Sequence, residues 1–66
     1  MATMEQDCRL TIYQAGGKAG AARRAHDQGM VSMHRDTARA AARLGGITIQ
    51  ERDRLYGAGY RGADMD

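Results

Sequence analysis

Residues Gln14 to His26 read QAGGKAGAARRAH, and the fold turns on whether this stretch is a glycine loop around a phosphate or a helix face kept small. A P-loop needs Gly-x-x-x-x-Gly-Lys followed by Ser or Thr, because the hydroxyl holds magnesium and the first glycine lets the backbone wrap the phosphates. Here Ala19 follows Gly17-Lys18, and Ile12 stands where the first glycine belongs. The tetrapeptide Gly17-Lys18-Ala19-Gly20 also spells the Gly-x-x-Gly of KH domains. A KH sheet needs strands, and only Ile47-Thr48-Ile49 alternates in β fashion. The stretch reads instead as helix. Gly16 and Gly20 are four residues apart, as are Ala15 and Ala19, and with Ala22 they form a face small enough for another backbone to approach closely. That face is assigned to helix packing within the chain or to an oligomer interface.

Working outward, one apolar stripe runs through Met4, Cys8, Ile12, Ala15, Ala19 and Ala22 at steps of three or four. It crosses Gly16-Gly17 without a change of phase, although two interior glycines cost about 1 kcal/mol each relative to alanine. A first helix is therefore predicted from just after Thr3, with Glu5 and Asp7 in its first turn, to Asp27-Gln28-Gly29, where Gly29 would cap it. Ser32 is the expected N-cap of a second helix, Met33 to Leu44, ended by Gly45-Gly46. Thr48 with Glu51 three residues on spells a capping box for a third helix carrying Leu55, Tyr56 and Tyr60 and fraying near Gly62. The expected architecture is all-α, two to three helices joined by glycine turns, one small helical domain over 1–66 with residues 1–3 and 62–66 loose. Ala38, Ala41 and Ala42 of helix two, and Ala58 with Gly62 near helix three, are the expected surfaces facing the glycine stretch.

With 66 residues, nine Gly, no Pro, no Trp, no Phe and a single Cys, the chain has little from which to build a core. The large apolar residues are Leu10, Ile12, Tyr13, Met30, Val31, Met33, Leu44, Ile47, Ile49, Leu55, Tyr56 and Tyr60. Met30 and Met33 flanking Val31 read as core at the helix junction. Small scaffolds usually add a disulfide, a metal or self-association. Cys8 has no partner for an intrachain disulfide and sits on the apolar stripe, and no Cys/His cluster has zinc spacing. Homo-oligomerisation or a partner is the expected staple. No apolar run is long enough to cross a membrane, the start is polar and acidic, and the lone thiol suits a reducing compartment. The expected location is cytoplasmic.

Formal charge is +2, which permits nucleic acid as a partner without requiring it. Arg35, Arg39 and Arg43 recur every fourth residue and make a basic stripe on helix two, only partly offset by Asp36. Lys18, Arg23 and Arg24 extend it if helices one and two lie side by side. These six are the candidate partner-binding residues, facing phosphates or an acidic protein surface.

Ala42, Gly46, Ile47 and Leu55 fall at the spacings of the repressor-type helix-turn-helix, and over about twenty residues the chain partially resembles that family. The resemblance implies a DNA-binding regulator with Thr48 to Leu55 as recognition helix. The pattern departs at Arg52, where an apolar residue belongs, and in placing Glu51 and Asp53 toward a negatively charged groove.

For catalysis only His26 with Asp27, His34 with Asp36, and Cys8 are reactive candidates, and no spacing joins a nucleophile to a base and an orienting group. No catalytic residue, metal or cofactor is assigned. The expectation is a non-enzymatic intracellular protein that docks onto a larger protein or ribonucleoprotein, with DNA regulation as the alternative. Phage and mobile-element inhibitors of host machinery, anti-CRISPR proteins included, share this profile; no residue motif carries that comparison.

Overall fold

Three helices, α1 (Met4–Arg24), α2 (Gln28–Gly45) and α3 (Ile49–Met65), account for nearly all of the computed structural model, which describes residues 3–65 and side chains through residue 62. No strand occurs among the described residues. Thr3 caps α1 through a reciprocal box with Gln6, in which the Thr3 hydroxyl accepts from the Gln6 amide and Gln6 Oε1 accepts from the Thr3 amide. The pattern Thr-x-x-Gln is the sequence signature of that box. α1 then runs unbroken through Gly16-Gly17.

Both turns close in the same way, by different residues. After α1 the Asp27 amide donates to the Ala22 carbonyl, and after α2 the Ile47 amide donates to the Ala42 carbonyl, each the long backward bond of a Schellman closure. That closure needs one residue with positive φ. Gly46 supplies it after α2 at φ 66°, and His26 supplies it after α1 at φ 59°. The first turn therefore contains no glycine, and Gly29, expected as a cap, lies inside α2. The expected N-cap Ser32 also gives way: the Asp27 carboxylate accepts from the Met30 amide and starts α2 at Gln28. An Asp placed directly after the closure can cap at once, so the helix begins before Ser32. Thr48 caps α3 as expected by accepting from the Glu51 amide. The Glu51 side chain does not return the bond; it is taken by Arg9 and Arg54. Thr3 is a formed cap, and α3 extends past Gly62 to Met65. Met1, Ala2 and Asp66 lie outside the described residues.

α1 is the central element: α2 and α3 each pack along it and touch one another far less. The small face makes this possible. A Cβ at Gly16 would overlap the carbonyl oxygen of Tyr56, and one at Gly59 would overlap the carbonyl oxygen of Tyr13. The closest approach of α3 to α1 is at the Tyr56 backbone and Gly59; of the expected pair Ala58 and Gly62, both half-buried, Gly62 lies near the Tyr13 hydroxyl of α1. On the α2 side Gly45 leans on Cys8, where an added Cβ would lie 2.8 Å from the cysteine Cβ.

The core that results is made of small side chains. Cys8, Ile12, Ala15, Ala38, Ala41 and Ala42 are buried together, with Ile47, Leu55 and Tyr56 packed against them. Among the described large residues only Ile12 is fully enclosed. Met4, predicted on the buried stripe, is exposed in the first turn of α1, and Met30 and Met33 are exposed rather than core. Leu10, Tyr13, Leu44 and Ile49 also face outward. Close backbone approach leaves little depth between helices, so bulky side chains are displaced to the rims.

Candidate functional site

Because α2 and α3 both lie on α1 but stand apart from each other, a groove runs between them. Near the second turn it is lined by Arg39, Ala42, Arg43, Ile47, Ile49 and Arg52. Its middle is lined by Arg35, Ala38, Arg39, Arg52, Asp53 and Tyr56. Its far end is lined by Arg23, Gln28, Val31, Arg35, Tyr56 and Tyr60. Arg39 and Arg52 belong to the first two hollows, and Arg35 and Tyr56 to the last two, so the three are continuous.

Each wall follows from helical spacing. Arg35, Arg39 and Arg43 stand at i, i+4, i+8 on the flank of α2 next to its buried alanines Ala38 and Ala42. Arg52, Tyr56 and Tyr60 stand at the same spacing on α3. Which flank of α3 faces α2 is fixed by the contact between Gly16 and the Tyr56 backbone, and the Tyr56 side chain then falls on the groove floor.

The charges are unequally satisfied. Arg52 donates through Nε and Nη2 to Asp53 Oδ1 at 3.1 and 2.9 Å, and Arg39 lies 3.9 Å from Asp36. Arg35 and Arg43 form no hydrogen bond or ion pair with the described residues. Arg23 donates to the Tyr60 hydroxyl at 2.8 Å while its guanidinium lies 6.0 Å from the ring centroid. Tyr56 and Tyr60 stack with centroids 6.3 Å apart. Burial raises the Tyr56 hydroxyl above its ordinary pKa, and Arg35 and Arg39 pull it back down. The tyrosine is neutral at physiological pH, and among the described residues the groove walls carry Arg35, Arg39, Arg43 and Arg52 with Asp53 on the wall and Asp36 beside it, while Arg23 at the far end is already engaged.

Of the six partner-binding candidates, Arg35, Arg39, Arg43 and Arg23 line this groove. Arg24 shares with Gly20, Arg23 and Tyr60 a hollow on the other side of the Tyr60 ring. Lys18 is exposed and lines none of these hollows. The packing candidates Ala15, Gly16, Ala19 and Gly20 are buried and Ala22 is half-buried, with Gly16 against α3 of the same chain. Arg52, Tyr56 and Tyr60 complete the groove without having been singled out as binding residues. Their shared spacing of four was the available signal. Arg52 also accounts for the departure from the helix-turn-helix pattern, because it lines an open groove where that family closes its two helices on an apolar side chain.

The reactive candidates remain apart. Cys8 is buried beside Gly45, His26 is exposed in the first turn, and His34 is half-buried on α2. Among the described residues no three His, Cys, Asp or Glu side chains form a metal-ligand set. No helix is long and apolar enough to cross a membrane. The chain matches no protein-family model, no curated protein and no solved structure.

Proposed function

We propose that the chain is a non-enzymatic binding protein that holds a larger, negatively charged macromolecule in the arginine groove between α2 and α3. One observation carries the reading: Arg35 and Arg43, with no acidic partner among the described residues, open onto the same groove as Arg39, Arg52 and Arg23. Like charges gathered on facing walls cost self-repulsion, which an anionic partner relieves. Planar guanidinium groups suit carboxylate and phosphate oxygens. The separation of Cys8, His26 and His34 supports a role without covalent chemistry.

Self-association belongs to the same proposal. Leu44 and Ile49 are 66% and 67% exposed while the core holds one large fully buried side chain. A thin core beside exposed aliphatic residues favours a second copy as a staple. Sedimentation at graded concentration reads this directly, and a monomer throughout removes it.

The binding reading is tested by retention on heparin, a polymer of closely spaced anions. The double variant R35E/R43E should elute at distinctly lower salt than K18E/R61E, which changes net charge equally outside the groove. Equal elution of the two would reject the groove as the contact.

A further inference from the structure

Resting on the polyanion reading, we infer that the occupant of the groove is a single-stranded nucleic acid, its phosphates following Arg43, Arg39 and Arg35 and a base stacked on Tyr56. The α2 wall repeats its charge once per four residues, a rise of about 6 Å, which an extended phosphodiester backbone can follow step by step. A folded acidic protein presents carboxylates in no such regular file. The opposite wall is aromatic and half-buried. Sulfated polymers and acidic peptides gain charge contacts from the arginines but nothing from a tyrosine face, whereas every nucleobase has a π surface to lay on it. Tyr60 carries Arg23 and stacks on Tyr56, whereas Tyr56 lines two adjoining hollows of the groove; the part of the Tyr56 ring open to the groove is the platform, and the Arg23–Tyr60 pair closes the end of the track.

Shape argues against duplex. The molecule measures 33 × 22 × 22 Å, and a groove between two of its three helices is too narrow for a double helix of about the molecule's own width. A single strand avoids this obstacle, because it enters the groove edge-on and passes Asp53 where Arg52 already neutralises it.

The test uses the intact chain and labelled oligonucleotides of about twelve uridines or thymidines, a duplex of equal length, heparin and a polyglutamate peptide, titrated by fluorescence anisotropy at low and physiological salt. Single strands should bind most tightly among these probes, with affinity falling steeply with salt. R35Q and R43Q should each lower the salt slope by about one contact. Y56L should weaken single-strand binding about tenfold and lower heparin retention far less, and Y56F should restore single-strand binding; circular dichroism confirms that both variants remain helical. Single-strand affinity unchanged in Y56L, or tighter binding of duplex or polyglutamate, overturns this inference and leaves the polyanion reading standing. Failure of every polyanion to bind overturns both.

Discussion

Gly16 presses its backbone directly against the carbonyl of Tyr56, closer than any side chain allows, and Gly59 does the same to the carbonyl of Tyr13. The two contacts are reciprocal, each helix offering a glycine to the other's carbonyl. An alanine at either site must push two backbones apart. Gly16→Ala and Gly59→Ala should each destabilise the fold by about 1–3 kcal/mol or more, despite the better helix propensity of alanine. Gly17 is the internal control, because its added Cβ would meet only the Gly59 carbonyl at an ordinary 3.6 Å. Gly17→Ala should stabilise by up to about 1 kcal/mol. Urea denaturation of the neighbouring variants should therefore show opposite signs.

The closures after α1 and α2 predict a second pair of opposite effects. Gly46 holds φ 66° with open space around any added Cβ, so Gly46→Ala incurs the left-handed backbone penalty alone, about 1–2 kcal/mol. His26 already bears that strain at φ 59°. His26→Gly should relieve it and raise the melting temperature, with a gain of up to about 1 kcal/mol after the entropy of a more flexible unfolded chain. A lower melting temperature for His26→Gly would show that the imidazole itself stabilises the turn.

The helical spans and the glycine face were legible because they are local. A stripe at 3.6 periodicity crosses Gly16-Gly17 without slipping, and the file Arg35, Arg39, Arg43 is visible as a spacing of four. The first turn misled because glycine is the commonest left-handed residue, so Gly29 drew attention from His26, a residue type also enriched there. Asp27 then displaced Ser32 as cap. The α3 wall of the groove was hidden for another reason. Its orientation is set by two backbone contacts, Gly16 with Tyr56 and Gly59 with Tyr13, across forty or more residues of sequence. Spacing within α3 cannot say which flank those contacts turn inward. Met30 and Met33 are exposed rather than core because hydrophobicity alone does not reveal that backbones packed this closely leave no room for them.

Among the described residues Ile12 is the one large side chain wholly enclosed, which makes it the place where a cavity costs most. Ile12→Ala should remove about 2–5 kcal/mol, against a whole-chain stability of roughly 3–10 kcal/mol for this length. The variant should be partly or fully unfolded at room temperature by circular dichroism. Ile12→Val should lose only about 0.5–1.5 kcal/mol.

Glu51 joins the start of α3 to the second turn of α1 through Arg9 and braces its own helix through Arg54. The Arg54 hydrogen bond is the largest influence holding its carboxyl below the usual range, with the charges of Arg54 and Arg9 acting in the same direction against partial desolvation. A depressed carboxylate contributes stability above its unfolded pKa of about 4.3 and loses that contribution as pH falls through the lower folded value. Acid titration of the wild type should therefore show falling stability below that range. Glu51→Gln should flatten this part of the profile and leave the variant less stable at neutral pH; a superimposable profile would show that the bridge contributes nothing.

Asp53 holds Arg52 by two hydrogen bonds to one carboxylate oxygen, which orients the guanidinium on the groove wall and cancels much of its charge. Asp53→Asn keeps an acceptor oxygen and removes the charge, so Arg52 stays in place while the groove gains one net positive unit. If the groove binds anions, the variant should bind heparin or a single strand about two- to fivefold more tightly at low salt, the scale of one exposed ion pair. The gain should shrink as salt rises, because the added charge acts through solvent. Arg52→Gln should move affinity in the opposite direction. The double variant should resemble Arg52→Gln rather than the sum of the two effects, since Asp53 acts on the ligand mainly through the arginine it neutralises.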